Sequence, residues 1–180
     1  MGSFANKLTK NGYRNIVCAD GSENYVKILK KKGFMAKQCD FNEKLPFRNK
    51  SFDAVISLEV IEHLEKSEFF LQEINRILKK GGVLILSTPN FAWFPYRLRH
   101  LLGKAPYLEG YHIRHFTYSS LTEKLKKAGF KLIATNSLSP IPLINRILLF
   151  LRRDPIWLKI SKMQNIFAQD LVFQATKTRI

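Results

Sequence analysis

Two hydrophobic periods alternate along the chain, and their order predicts its elements. Phe52 to Leu58 (FDAVISL) is a short apolar run rich in β-branched residues, the pattern of a strand buried on both faces. Ser67 and Glu68 then open a stretch in which Phe70, Ile74, Ile77 and Leu78 share one helical face. Gly81-Gly82 offers a left-handed stop to that helix. Val83 to Leu86 reads as a second buried strand, stopped by Pro89. Strand, helix and strand in this order form half of a doubly wound sheet, whose ligands bind where the strands' carboxyl ends open. Those ends carry Leu58, Glu59 and Val60 after one strand and Ser87 to Asn90 after the other.

The flanking segments follow the same grammar. Ser3 to Asn11 reads as a helix with Phe4 and Leu8 on one face and Gly12 as its stop. Asn15 to Asp20 is a strand ending in an acid. Ser22 to Lys32 is a basic amphipathic helix with Tyr25, Ile28 and Leu29 inward, and Phe34 to Cys39 is a weaker strand closed by Asp40. After the central unit, residues 91–118 form a lid-like segment with a short helix around Tyr96 to Leu102. Ser119 to Ala128 is a helix stopped by Gly129, and Lys131 to Thr135 a strand. Residues 140–166 read as an insertion with one or two helices, in which Ile144, Ile147, Leu148 and Leu151 make an apolar stripe. Asp170 to Lys177 is a late, alternating strand placed to return antiparallel. One α/β domain over residues 1–180 is expected: a doubly wound, mostly parallel sheet with helices on both faces.

Composition narrows the class. Apolar residues at 46% with 24% charged are globular rather than disordered. No apolar run approaches the roughly 20 residues of a membrane-spanning helix, and no signal peptide opens the chain, so a cytoplasmic address is expected. Cys18 and Cys39 read as packed thiols. The net charge of +16 is uneven: residues 1–90 carry 15 basic and 10 acidic side chains, residues 91–180 carry 15 and 4. A basic second half favours an anionic acceptor, a nucleic acid or a membrane surface as partner; a solubilising surface explains it equally well. The segment after Asn90 interleaves Phe91, Trp93, Phe94, Tyr96 and Tyr107 with Arg97, Arg99, His100 and Lys104, fit for a flat or anionic acceptor or for packing over a pocket.

LPFRNKSFDAVISLEVIEHL followed by LKKGGVLILSTPN resembles the class I S-adenosylmethionine-dependent methyltransferases, a Rossmann-like family, and within them the ubiquinone-biosynthesis O-methyltransferase branch. The resemblance implies a chain that transfers the methyl group of S-adenosylmethionine to a small-molecule or anionic acceptor. Asp20 would hold the cofactor's ribose, with Gly21 beside it, and Asp40 the adenine amino group, with Phe41 packed on the ring. Leu58, Glu59 and Val60 would line the sulfonium end. Of the family's glycine-rich turn only Gly2 can match, so the first strand is expected to be missing. His112, His115 and Glu59 are the candidate bases. In the ubiquinone branch and in small-RNA 2′-O-methyltransferases, an E-x-x-E-H motif like Glu59, Glu62 and His63, with a distal histidine, is associated with a divalent metal. Local hydrogen bonding by Glu62 and His63 explains the motif without one, and no metal ligand is assigned. The rival reading is a non-enzymatic basic binding module on the same fold.

Overall fold

The computed structural model describes residues 2–104, 111–140, 157–160 and 164–178. Where one domain is expected, the chain groups into two compact units, Met1–Pro46 and Phe47–Ile180.

The first unit holds α1 (Ser3–Lys10), β1 (Val17–Asp20), α2 (Glu23–Lys31) and β2 (Met35–Gln38). The two strands pair in parallel, from Val17 opposite Met35 to Asp20 opposite Gln38. Val26, Leu29 and Ala36 form the core, with Cys18 and Phe34 packed against them. The inward face of α2 is therefore turned from the expected one: Val26 is buried and Tyr25 is 43% exposed. Residues 22, 26 and 29 repeat at helical spacing just as well as 25, 28 and 29, and packing on Ala36 selects between them. Gly2 starts α1 at φ +71, where a Cβ would lie 3.2 Å from Leu29 Cδ2. That position needs glycine for conformation and closeness together.

The second unit is built on a six-stranded sheet. Its strands are β3 (Phe52–Leu58), β4 (Leu78–Pro89), β5 (Phe130–Thr135), β6 (Ser137–Pro140), β7 (Trp157–Ile160) and β8 (Asp170–Lys177). β3 and β4 are parallel, and β8 lies antiparallel between β4 and β5. The late strand thus returns in the expected sense. Its helices are α3 (Ser67–Ile77), α4 (Phe94–Leu101), α5 (Tyr118–Lys127) and α6 (Gln164–Phe167). The core is Leu71 and Ile74 of α3, Leu84 and Leu86 of β4, Leu121 and Leu125 of α5, and Leu171 and Phe173 of β8. No described helix is long and apolar enough to cross a membrane.

Three expectations change here. The glycine pair does not end α3: the helix stops at Ile77 and β4 begins at Leu78. Gly81 and Gly82 lie inside the strand, where the register jumps from Phe52–Leu78 to Ala54–Val83. A Cβ on Gly82 would sit 2.9 Å from the Lys79 carbonyl and 3.1 Å from that of Asp53, so close backbone approach is what demands glycine. Second, β3 is an edge strand of its sheet with only Ser57 buried, while β4 is the buried one. Third, strands β6 and β7 pair at the two ends of the expected insertion. The stripe of Ile144, Ile147, Leu148 and Leu151 lies outside the described residues, as does Tyr107.

Candidate functional site

The carboxyl ends of β3 and β4 lie side by side, Leu58 opposite Ser87. At Glu59 the chain turns through a left-handed φ of +52. The Glu59 amide donates to the Ser87 carbonyl at 3.2 Å, and Ser87 Oγ donates back to Glu59 Oε1 at 2.5 Å. Because Glu59 is not helical, E-x-x-E-H does not put its three side chains on one helical face. Glu62 and His63 sit instead on a separate 3₁₀ turn, Ile61–His63, ahead of α3. Val60 caps that turn and is half-buried.

Glu62 is 1% exposed. Its backbone carbonyl accepts from the amides of Ile113 and Arg114 at 3.1 and 3.0 Å, which fastens the histidine-bearing segment to the turn. Thr88 Oγ1 donates to Glu62 Oε2 at 3.0 Å, and Oε1 has no hydrogen-bond partner among the described residues. Burial pushes the Glu62 carboxyl above its ordinary pKa, and the charge of Glu59 pushes the same way. His63 Nδ1 lies 3.1 Å from the Tyr111 carbonyl, which can only accept, so that nitrogen is the donor and Nε2 is the ring nitrogen turned to other partners. Nε2 is 3.8 Å from Glu62 Oε1, and the His112 ring meets that of His63 edge-on at 4.8 Å.

Glu62, His63 and His112 each bring one ligand atom within 4.8 Å of the others. A separation of 3.8 Å is too long for a hydrogen bond. It suits two ligands sharing one ion at about 2.0–2.2 Å each. The unsatisfied buried Oε1 and the carbonyl-held His63 ring fit the same reading, since a metal-bound histidine ordinarily donates its other nitrogen. Two such bonds span about 4.4 Å at most, so a divalent cation would have to draw together the widest pair of donors, up to 4.8 Å apart; the sequence assigns no metal ligand, and this set uses Glu62 rather than Glu59.

A cavity of about 500 Å³ opens over these groups. Leu58, Glu59, His112 and His115 line it, joined by Glu62 and His63 of the E-x-x-E-H motif and by Phe91 and Tyr96 of the aromatic segment; Val60 does not line it. His115 stacks on Phe91 with ring centres 4.4 Å apart, and His100 meets the other ring edge-on at 5.7 Å. Three of the chain's four histidines, His63, His112 and His115, thus line the cavity, and His100 reaches only Phe91 of its wall. Ser87, from the strand end expected to face a ligand, lines it as well, and so do Arg114, Gln169 and Asp170, which the sequence did not single out. Gln169 and Asp170 arrive with the start of β8, which only antiparallel pairing brings to this end of β4. Asn90 holds that junction: its amide donates to the Gln169 carbonyl at 2.7 Å and its side chain to the Ala168 carbonyl at 2.8 Å.

The other cofactor candidates belong to the first unit. Asp20 ends β1 and Asp40 follows β2, so both stand at the carboxyl end of the parallel pair. Each spends one oxygen on its own turn: Asp20 Oδ1 accepts from the Ser22 amide and Asp40 Oδ1 from the Asn42 amide, both at 2.8 Å. Ser22, the N-cap of α2, makes no side-chain cap, and Asp20 closes an Asx turn onto its amide instead. The second oxygen of each carboxylate is engaged by no described group. Gly21 is exposed with ordinary clearance, Phe41 is half-buried beside Asp40, and Gly2 packs on Leu29 and Phe34.

Residues 1–86 match the family model described as a methyltransferase domain. A probable S-adenosylmethionine-dependent methyltransferase of Mycolicibacterium smegmatis is 38% identical over 88 residues, 49% of this chain and 32% of the relative. The chain thus spans about a third of that relative's length. An uncharacterized protein of Methanocaldococcus jannaschii is 30% identical over 186 residues, 98% of this chain and 75% of the relative. Among solved structures, an S-adenosylmethionine-dependent methyltransferase of Thermotoga maritima, named as a possible histamine N-methyltransferase, superposes with a TM-score of 0.69 at 20% identity. It covers 98% of this chain and 79% of that one, and so shares the fold. Over residues 1–86 the chain thus matches a methyltransferase domain, and over nearly its whole length it shares the Rossmann-like α/β fold of solved S-adenosylmethionine-dependent methyltransferases.

Proposed function

We propose that this protein transfers the methyl group of S-adenosylmethionine to a hydroxyl of a small or anionic acceptor held in the cavity at the ends of β3 and β4. The observation that carries the reading is the convergence of Glu62, His63, His112 and His115 on one 500 Å³ cavity. Acid and imidazole groups clustered there have little use unless a proton must leave the acceptor.

S-adenosylmethionine supplies a methyl group already activated on a sulfonium, which departs as a neutral thioether. The chain's part is then positioning and proton removal. Asp20 offers its second oxygen to a ribose hydroxyl, and Asp40 its second oxygen to the adenine amino group. Phe91 and Tyr96 supply flat walls for the acceptor. As the acceptor oxygen forms its bond to carbon and the carbon–sulfur bond breaks, the hydroxyl proton passes to an imidazole of the cavity wall, His115, which stands outside the Glu62, His63 and His112 donor set. Glu59 is the weaker base, because Ser87 Oγ already donates to its carboxylate. A divalent cation held by Glu62, His63 and His112 would lower the pKa of the acceptor hydroxyl.

Calorimetric titration with S-adenosylmethionine tests the cofactor half directly. Asp20→Asn keeps the oxygen that the Ser22 amide needs and removes only the charge. It should weaken binding by about 1.5–3 kcal/mol, the worth of a charge-assisted hydrogen bond. Wild-type affinity in Asp20→Asn would take Asp20 out of the cofactor site, and no binding by the wild type would end the proposal.

A further inference from the structure

Helix α4 forms part of the cavity wall through Tyr96, yet it buries none of its own residues. At about 100° per residue, Tyr96 faces one way, and Phe94, Leu98, Leu101 and the capping Leu102 fall within an arc of about 100° facing the other. Those four are 48, 45, 84 and 63% exposed. Single exposed leucines are ordinary, but a contiguous ridge of large apolar side chains is not. Phe167 of α6 widens the ridge, itself exposed and with its ring 6.1 Å from that of Phe94. The same winding puts Arg97 on one flank of the ridge and Arg99 on the other. Lys104 follows the helix, and from Phe91 to Lys104 there is no acidic residue.

We propose that this face of α4 lies on an anionic lipid bilayer. The apolar ridge enters the headgroup boundary while Arg97, Arg99 and Lys104 meet the lipid phosphates, the arrangement of an interfacial amphipathic helix with its cations at the rim. Charge complementarity chooses this occupant. A second copy of the chain would bring the same cations against each other with no acid in the segment to pair them. RNA would use the cations but has no use for four aliphatic and aromatic side chains presented as a ridge, since its bases stack on flat rings. Bilayer docking would leave the cavity one helix thickness, about 10 Å, from the surface. An acceptor dissolved in the membrane would then have a short path to Tyr96. The docking surface stands apart from the methyl-transfer reading and does not depend on it.

Vesicle flotation of the whole chain tests this. The probes are vesicles of phosphatidylcholine alone and vesicles enriched in phosphatidylglycerol, each at low and at physiological salt. The wild type should float with the anionic vesicles, and less as salt rises. Leu98→Ser combined with Leu101→Ser should weaken that binding at least about tenfold while leaving affinity for S-adenosylmethionine unchanged. If the double variant melts early, Leu101→Ser alone, at the most exposed position, carries the test. Equal flotation of variant and wild type overturns the proposal. So does a wild type that ignores anionic vesicles but binds RNA. So does one that ignores them but dimerises in sedimentation velocity through a contact that Leu101→Ser abolishes.

Discussion

Glu62 concentrates the energetic tension of this molecule in one side chain. Its carboxyl is buried, one oxygen satisfied by Thr88 and the other left over among the described residues, with its pKa raised by burial. A carboxyl raised in the folded state keeps a proton that the unfolded chain has already released. Its stabilising effect is therefore complete at low pH and is lost as pH rises from the ordinary glutamate value, about 4.3, through the folded value. Without added metal, Glu62→Gln should match the wild type in acid and melt higher than it in mild alkali, because the amide never ionises. A divalent cation should then raise the wild-type melting temperature in alkali and leave Glu62→Gln unmoved, by binding the native state alone. Thermal melts across pH, with and without the ion, read both effects. A variant no more stable than the wild type in alkali would show that burial of this carboxylate costs nothing. A wild type that ignores the ion would leave the Glu62, His63 and His112 cluster to proton transfer only.

Between residue and fold, the junctions decide where things point. The α3–β4 boundary is held by Arg76, whose Nε and Nη2 make a two-point bond to Glu73 at 2.7 Å each. Its Nη1 donates to the Phe47 carbonyl and to Asn49 Oδ1, so the segment leading into β3 is tied to α3. Glu73 is buried, so Arg76→Ala strands a carboxylate in the interior and should cost about 3 kcal/mol. Arg76→Met with Glu73→Leu removes both charges and should recover most of that loss. Chemical denaturation of the two variants separates the cases, and equal losses would mean that the ion pair is not what holds the boundary. At the other end of the site, Thr117 caps α5 by a reciprocal pair with Ser120. This starts the helix directly after His115 and Phe116 and so limits where the histidine segment can lie.

Over the whole molecule, burial is shared unevenly. The first unit rests on Val26, Leu29 and Ala36 with two half-buried neighbours. The second has Leu71, Ile74, Leu84, Leu86, Leu121, Leu171 and Phe173 almost wholly enclosed. Among the described residues β1 and β2 pair only with each other, whereas β4 is paired on both edges. A small core and half-paired strands favour local opening. Amides of Val17–Asp20 and Met35–Gln38 should accordingly exchange at least about tenfold faster than those of Leu84–Leu86 and Leu171–Phe173. On the proposed cofactor role of Asp20 and Asp40, added S-adenosylmethionine should slow the first group. Hydrogen exchange by mass spectrometry resolves both, and equal protection without the cofactor would mean that the first unit draws its stability from something other than its own core.

Much of this was legible along the chain, because strand and helix periods are set by neighbours in sequence. Phe52 to Leu58 reads as a strand from its own side chains, and Ser67 to Ile77 as a helix from its spacing. Asp20 and Asp40 can be placed at strand ends without knowing what the strands pair with. The motifs around Glu59, Glu62 and Ser87 to Asn90 carry the family likeness for the same local reason. What pairs with what is a property of distant contacts, and there the chain was silent. That β4 lies inside the sheet depends on β8, which pairs its second edge from more than eighty residues further on. Gly81 and Gly82 suit a helix stop and a bulge equally well, and only the approach of the Asp53 carbonyl decides. Glu62 and His112 lie fifty residues apart. They become one site because the amides of Ile113 and Arg114 find the Glu62 carbonyl, a hydrogen-bonding choice made when the backbone groups left over at the sheet's end must be satisfied.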